Sequence, residues 1–112
     1  METKIKVTFV VPDVLQKECR EQIVKDGYDM RGKSLWIAEG IEHLLKMRNF
    51  PELVNLSNQM KGFQKLESIV ITKQLKKFLD DAVLHVRRFY PTLEGVQSSI
   101  MRTAMVQRLL RS

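Results

Sequence analysis

The chain holds one cysteine, Cys19, so no disulfide can form within it, and its stability must come from packing. No apolar run approaches the roughly 20 residues that a membrane span needs. Near the N-terminus there is no uninterrupted apolar core followed by a small-residue cleavage site, so no secretory leader is expected and a cytoplasmic location is. His43 and His85 are isolated, and no Cys/His/Asp spacing resembles a metal site. A Gly-rich phosphate loop, a Ser-His-Asp set and a convergent pair of carboxylates are all missing. Neither an enzyme nor a cofactor is expected.

What is present fits a soluble globular protein. Hydrophobic residues make up 44% and charged residues 29% of the 112-residue chain. The formal net charge of +6 makes an anionic partner plausible. It is unevenly spread: residues 1–48 carry nine Lys/Arg and eight Asp/Glu, residues 49–112 ten and five.

"KIKVTFVVPDVL" opens as a strand, with Lys4, Lys6 and Thr8 on one side and Ile5, Val7, Phe9 and Val11 on the other. Pro12 suits the first turn of a helix, in which Val14, Leu15, Cys19 and Ile23 recur at helical spacing. Gly27 is its expected C-terminal cap. Ser34 is the expected N-cap of a second helix, whose stripe is Ile37, Ile41, Leu44 and Leu45. The order then repeats. "LESIVIT" reads as a strand with Ile69 and Ile71 on one face. Leu75, Phe78, Leu79, Ala82, Val83 and Val86 mark a helix ending near Pro91, and Ser98 caps a last helix with Met101, Met105 and Leu109 as its stripe.

A shift of 60 residues superposes Phe9 on Ile69, Val11 on Ile71, Leu15 on Leu75, Cys19 on Leu79 and Ile23 on Val83. A shift of 64 superposes Ser34 on Ser98, Ile37 on Met101, Ile41 on Met105 and Leu45 on Leu109. The difference falls in the inter-helix loop, where insertions are tolerated. These matches predict an internal duplication, with units at residues 1–48 and 66–112 sharing one core. Between them, residues 49–65 predict a short helix begun at Pro51, carrying Leu53, Val54, Leu56 and Met60, and closed by Gly62; the segment lacks the Gly/Ser composition of a flexible linker. A lone strand with two helices cannot pair its edge or bury its stripes, whereas two copies can do both. The expected fold is mainly α with a short two-stranded antiparallel β-ribbon.

"KIKVTFVVPDVL" followed by "GKSLWIAEGIEHLL" resembles the ribbon-helix-helix superfamily of DNA-binding proteins, which includes the Arc and MetJ repressors. The match covers residues 4–46, and more weakly residues 66–110. Two units in one chain, and the stretch "EHLLKMRNFPEL", are similar to the TraY-like relaxosome accessory proteins of conjugative plasmids. The resemblance implies an intramolecular pseudo-dimer that lays its ribbon in the major groove of double-stranded DNA. The implied base contacts are Lys4, Lys6, Thr8, Val10 and Ser68. The implied phosphate contacts, at the N-termini of each unit's second helix, are Lys33 and Ser34, and Ser98 and Ser99. The implied roles are a relaxosome accessory factor with a relaxase as protein partner, or a transcriptional repressor. No membrane partner is expected, and a monomeric pseudo-dimer or a higher assembly on DNA is.

The second strand departs from this pattern, offering Leu66, Ser68 and Val70 where the first has Lys6, Thr8 and Val10. An asymmetric site therefore fits better than a palindrome. A plainer reading makes Lys4, Lys6 and Thr8 the solvated face of an edge strand, where lysines discourage aggregation. Lys33 and Ser34 are equally readable as a loop residue and a helix cap, and Arg87, Arg88, Lys76, Lys77, Arg102, Arg108 and Arg111 as helix-surface charges. Trp36 and Cys19 sit in core registers. Two further alternatives remain: an interaction adaptor that uses the Leu66/Val70 face and Trp36, and an assembly in which strands pair between chains.

Overall fold

The structure is a computed structural model that describes residues 3–58, 60 and 62–111, leaving aside the side chain of Met30. Strand β1 (Lys4–Pro12) runs into helix α1 (Asp13–Lys25). A 3-10 turn (Met30–Gly32) leads to α2 (Lys33–Leu45), and the short α3 (Phe50–Leu56) precedes strand β2 (Gln64–Thr72). Helices α4 (Lys73–Phe89) and α5 (Val96–Leu110) follow. Among the described residues the protein is mainly helical, with a single two-stranded antiparallel sheet. None of its helices is long and apolar enough to cross a membrane.

Alternation decides what the strands do. Val7, Phe9 and Val11 of β1 and Ile69 and Ile71 of β2 are buried, while Lys4, Lys6, Thr8 and Val10 face outward. The strands pair within the chain in the register Lys4↔Thr72, Lys6↔Val70, Thr8↔Ser68 and Val10↔Leu66.

The helices close over the inner face of this ribbon. Leu15, Cys19 and Ile23 of α1, Trp36, Ile37, Ile41 and Leu44 of α2, Leu75, Leu79, Ala82 and Val86 of α4, and Ile100, Met101, Ala104 and Met105 of α5 form one core with the strands. Burial pushes the Cys19 thiol up to about 12, as befits a packing residue rather than a nucleophile. Two expected core residues point elsewhere: Val14 is 62% and Phe78 51% exposed. Each stands one residue before a core leucine (Leu15 and Leu79), and one step turns a helix by about 100°, off the buried stripe. Leu56 is likewise exposed.

Helix ends follow local chemistry, with corrections to the sequence reading. Gly27 takes a left-handed φ of 87°. There Tyr28 N donates to Ile23 O at 3.0 Å and Gly27 N to Val24 O at 3.0 Å, the paired bonds of a glycine C-cap. Thr72 caps α4, accepting from Leu75 N at 3.1 Å. Ser34 and Ser98 do not cap their helices: Gly32 and Gly95 occupy the cap positions, and both serines lie inside the first turn. Helix α3 ends at Leu56, well before Gly62, and β2 begins at Gln64, inside the segment read as a linker.

Helices α2 and α5 approach closely at Gly40, where an added Cβ would stand 3.1 Å from Ala104 O and 3.3 Å from Arg108 Cβ. The carbonyl belongs to helix backbone and cannot swing aside. Gly40→Val should therefore force the two helices apart and destabilise the fold by about 1–3 kcal/mol. Urea unfolding monitored by circular dichroism measures this, and an unchanged midpoint would show that the helices part freely.

Candidate nucleic-acid interface

The outer face of the ribbon carries five of the residues singled out from sequence. From one end to the other its cross-strand pairs are Lys4 with Thr72, Lys6 with Val70, Thr8 with Ser68, and Val10 with Leu66. Lys4, Lys6, Thr8 and Val10 are exposed and Ser68 is partly so. Thr8 Oγ1 and Ser68 Oγ are hydrogen-bonded at 3.0 Å, which ties the middle of the face together. Neither Lys4 nor Lys6 forms an ion pair with a described residue.

The first turns of α2 and α5 flank this face. Ser34 Oγ accepts from Val70 N at 3.0 Å, and Ser98 Oγ accepts from Val10 N at 3.2 Å. Each hydroxyl thus satisfies an N–H on the free edge of a strand, and each helix N-terminus is held beside the ribbon. A serine that accepts this bond keeps its own proton to donate outward. The α2 serine is bound to β2 and the α5 serine to β1, so the helices of each half anchor on the strand of the other.

Two of the expected phosphate contacts are otherwise engaged. Lys33 Nζ donates to Glu67 Oε1 at 2.6 Å, so its charge is already neutralised. Ser99 is fully buried, with its hydroxyl donating to Asn58 Oδ1 at 3.3 Å and accepting from Arg102 Nη2 at 3.0 Å. Its side chain cannot reach an external phosphate.

Sequence reasoning missed the two buried charges behind the ribbon. Glu67 is 5% exposed, on the inner face opposite Phe9. Its carboxylate accepts from Lys33, from Gln16 Nε2 at 3.0 Å and from Ser68 N at 3.0 Å, with Arg20 Nη2 3.6 Å away. Burial alone would raise its pKa, but the hydrogen bonds from Lys33, Gln16 and Ser68 outweigh this and hold it below the ordinary 4.5. The signal was available: Glu67, Ile69 and Ile71 share one strand face, so a carboxylate stood in a core register. Its side-chain partners were not readable, because they come from α1 and α2.

Arg102, read as a surface charge, is 8% exposed. Its Nη1 donates to Val10 O at 3.1 Å, and burial lowers its pKa. With Ser98 on Val10 N, both edge groups of Val10 are satisfied from α5. Arg108 is no solvated charge either. Its guanidinium stands 5.3 Å over the Trp36 ring and 3.7 Å from Glu39. Trp36 itself is fully buried, donating from Nε1 to Asp26 Oδ2 at 2.8 Å, and offers no surface to a partner.

Comparison with family models, curated proteins and solved structures finds no match for this chain. Function must therefore be read from the interface itself.

Because the folded state holds the Glu67 pKa below its unfolded value, its contribution to stability is present above about 4.5 and lost as pH falls through the folded pKa. Urea midpoints should drop on acidification below pH 4.5, and Glu67→Gln should flatten that part of the profile. An E67Q profile parallel to that of the wild type would assign the acid sensitivity to other groups.

Proposed function

We propose that this protein binds specific sequences in double-stranded DNA as a tandem ribbon-helix-helix protein, one chain supplying both units of a pseudo-dimer. The observation that carries this reading is the outer face of the β1–β2 ribbon, where Lys4, Lys6, Thr8 and Ser68 project from an uncovered two-stranded sheet. A ribbon of this width fits the major groove, where base edges present distinct donor and acceptor patterns. Lysine ammoniums donate to guanine O6 and N7, and hydroxyls donate or accept. The first turns of α2 and α5 sit beside the ribbon, suited to holding backbone phosphates through free N–H groups and the protons of Ser34 and Ser98. The net charge of +6 favours encounter with a polyanion.

The likeness of the sequence to TraY-like proteins supports a role as a relaxosome accessory factor in conjugation, with a relaxase as partner. A transcriptional repressor would use the same face. The adaptor reading keeps two observations in its favour: Leu66 and Val70 stay exposed on the ribbon, and a groove of about 640 Å3 is lined by Leu45, Phe50, Leu75, Phe78, Ala82 and His85. The groove lies among α2, α3 and α4, reaches Thr72 at the end of β2, and does not include the buried Trp36.

Replacing Lys6 and Thr8 together by alanine should weaken binding to a duplex selected from a random pool by about 1–3 kcal/mol per lost base contact and relax its specificity. Electrophoretic mobility shift over a salt series measures both the loss and the number of phosphates engaged. Undiminished affinity and selectivity in this double variant would refute the assignment, and no retardation of any duplex at low salt would favour the adaptor.

A further inference from the structure

The antiparallel register does more than expose a basic face: it sorts that face by chemistry along its length. Lys4 and Lys6 lie at one end, beside Thr72 and Val70. Val10 and Leu66 lie directly opposite each other toward the other end, 37% and 72% exposed. A two-fold axis through the Thr8–Ser68 pair would exchange Lys6 with Leu66 and Lys4 with Gln64, while exchanging Val10 with Val70. The two ends therefore match at the valines and differ at three positions: lysine against leucine, lysine against glutamine, and threonine against proline.

We infer that the DNA site has chemically unlike ends, with guanine read by Lys4 and Lys6 at one and thymine C5-methyl groups packed against Leu66 and Val10 at the other. The inference rests on the DNA-binding reading above and names what each end of that interface recognises. A lysine ammonium has donors only, so it selects guanine, whose O6 and N7 are adjacent acceptors, over adenine, which sets an amino group beside N7. A leucine side chain has nothing to donate, and the apolar group in the major groove is the thymine methyl. Leu66 does not contribute to the core, since it points away from it and stays 72% exposed. An apolar side chain left on the open face of a ribbon is an aggregation liability that a bound ligand would remove. Between the ends, the Thr8 and Ser68 hydroxyls suit either base pair, so discrimination falls to the ends.

The test uses the full chain and a duplex selected from a random pool. Guanines are replaced one at a time by 7-deazaguanine, which lacks the N7 acceptor, and thymines by deoxyuridine, which lacks the methyl group. Losses from deazaguanine should cluster at one end of the site, about 5- to 100-fold. Losses from deoxyuridine should cluster at the other, about three- to ten-fold. Lys6→Ala should abolish the first sensitivity and spare the second, and Leu66→Ala the reverse. A palindromic consensus, indifference to deoxyuridine, or both variants altering the same end would overturn the inference while leaving DNA binding intact. Failure to retain any duplex at low salt would instead overturn the DNA-binding reading, and the inference with it.

Discussion

The pairing of β1 with β2 is the constraint on which the rest of this molecule depends. Thr8 and Ser68 face each other across sixty residues of chain, and a two-stranded ribbon by itself is marginal in water. What holds it is the burial of Val7, Phe9, Val11, Ile69 and Ile71 beneath the helices, together with satisfaction of its open edges. Ser34 and Ser98 supply acceptors to the N–H groups of Val70 and Val10, so neither edge invites another strand at those points. Those same bonds fix the N-termini of α2 and α5 beside the outer face. Holding the sheet together and shaping the proposed interface are one task.

The two halves do this with different chemistry. Behind β2, the buried Glu67 draws Lys33 inward and pins the start of α2. Its counterpart at a spacing of sixty residues is Val7, an ordinary apolar core residue. Behind β1, Arg102 reaches from α5 to the Val10 carbonyl; the residue sixty-four positions earlier is Ala38. A buried charge is costly unless paired and hydrogen-bonded. Glu67 meets that condition with Lys33, whereas Arg102 is hydrogen-bonded at both terminal nitrogens to the neutral oxygens of Val10 and Ser99, with Nε left without a partner. Because α2 anchors on β2 and α5 on β1, each half leans on the other's strand.

Most of this architecture is legible in the sequence because it rests on periodicity. Alternation over residues 4–11 gave the inner and outer faces of β1 correctly, and helical spacing located Ile37, Ile41, Leu79, Met101 and Met105 in the core. Gly27 announced its cap through the backbone freedom that only glycine has without strain. Val14 and Phe78 misled because hydrophobicity alone does not separate two adjacent apolar residues, only one of which can lie on the stripe. The polar interior was harder still. Lys33 and Ser99 look like surface residues until the fold brings Glu67 to one and Asn58 to the other. Contacts between residues 34 or more positions apart leave no local signature.

The outer face is where the chain is free to vary. The side chains of Lys4, Lys6, Val10, Leu66 and Val70 lie outside the core; the sheet is secured chiefly by backbone bonds, inner residues and the two serines. Substitution there would change the chemistry of the proposed interface without disturbing the core. When two identical chains build a ribbon, any change on one strand is copied to the other, and the reading surface stays symmetric. A single chain carrying both strands is released from that rule. The lysine-bearing end and the leucine-bearing end of this ribbon are what such a release allows: two chemistries on one rigid face, a few residues apart, set independently of the core that presents them.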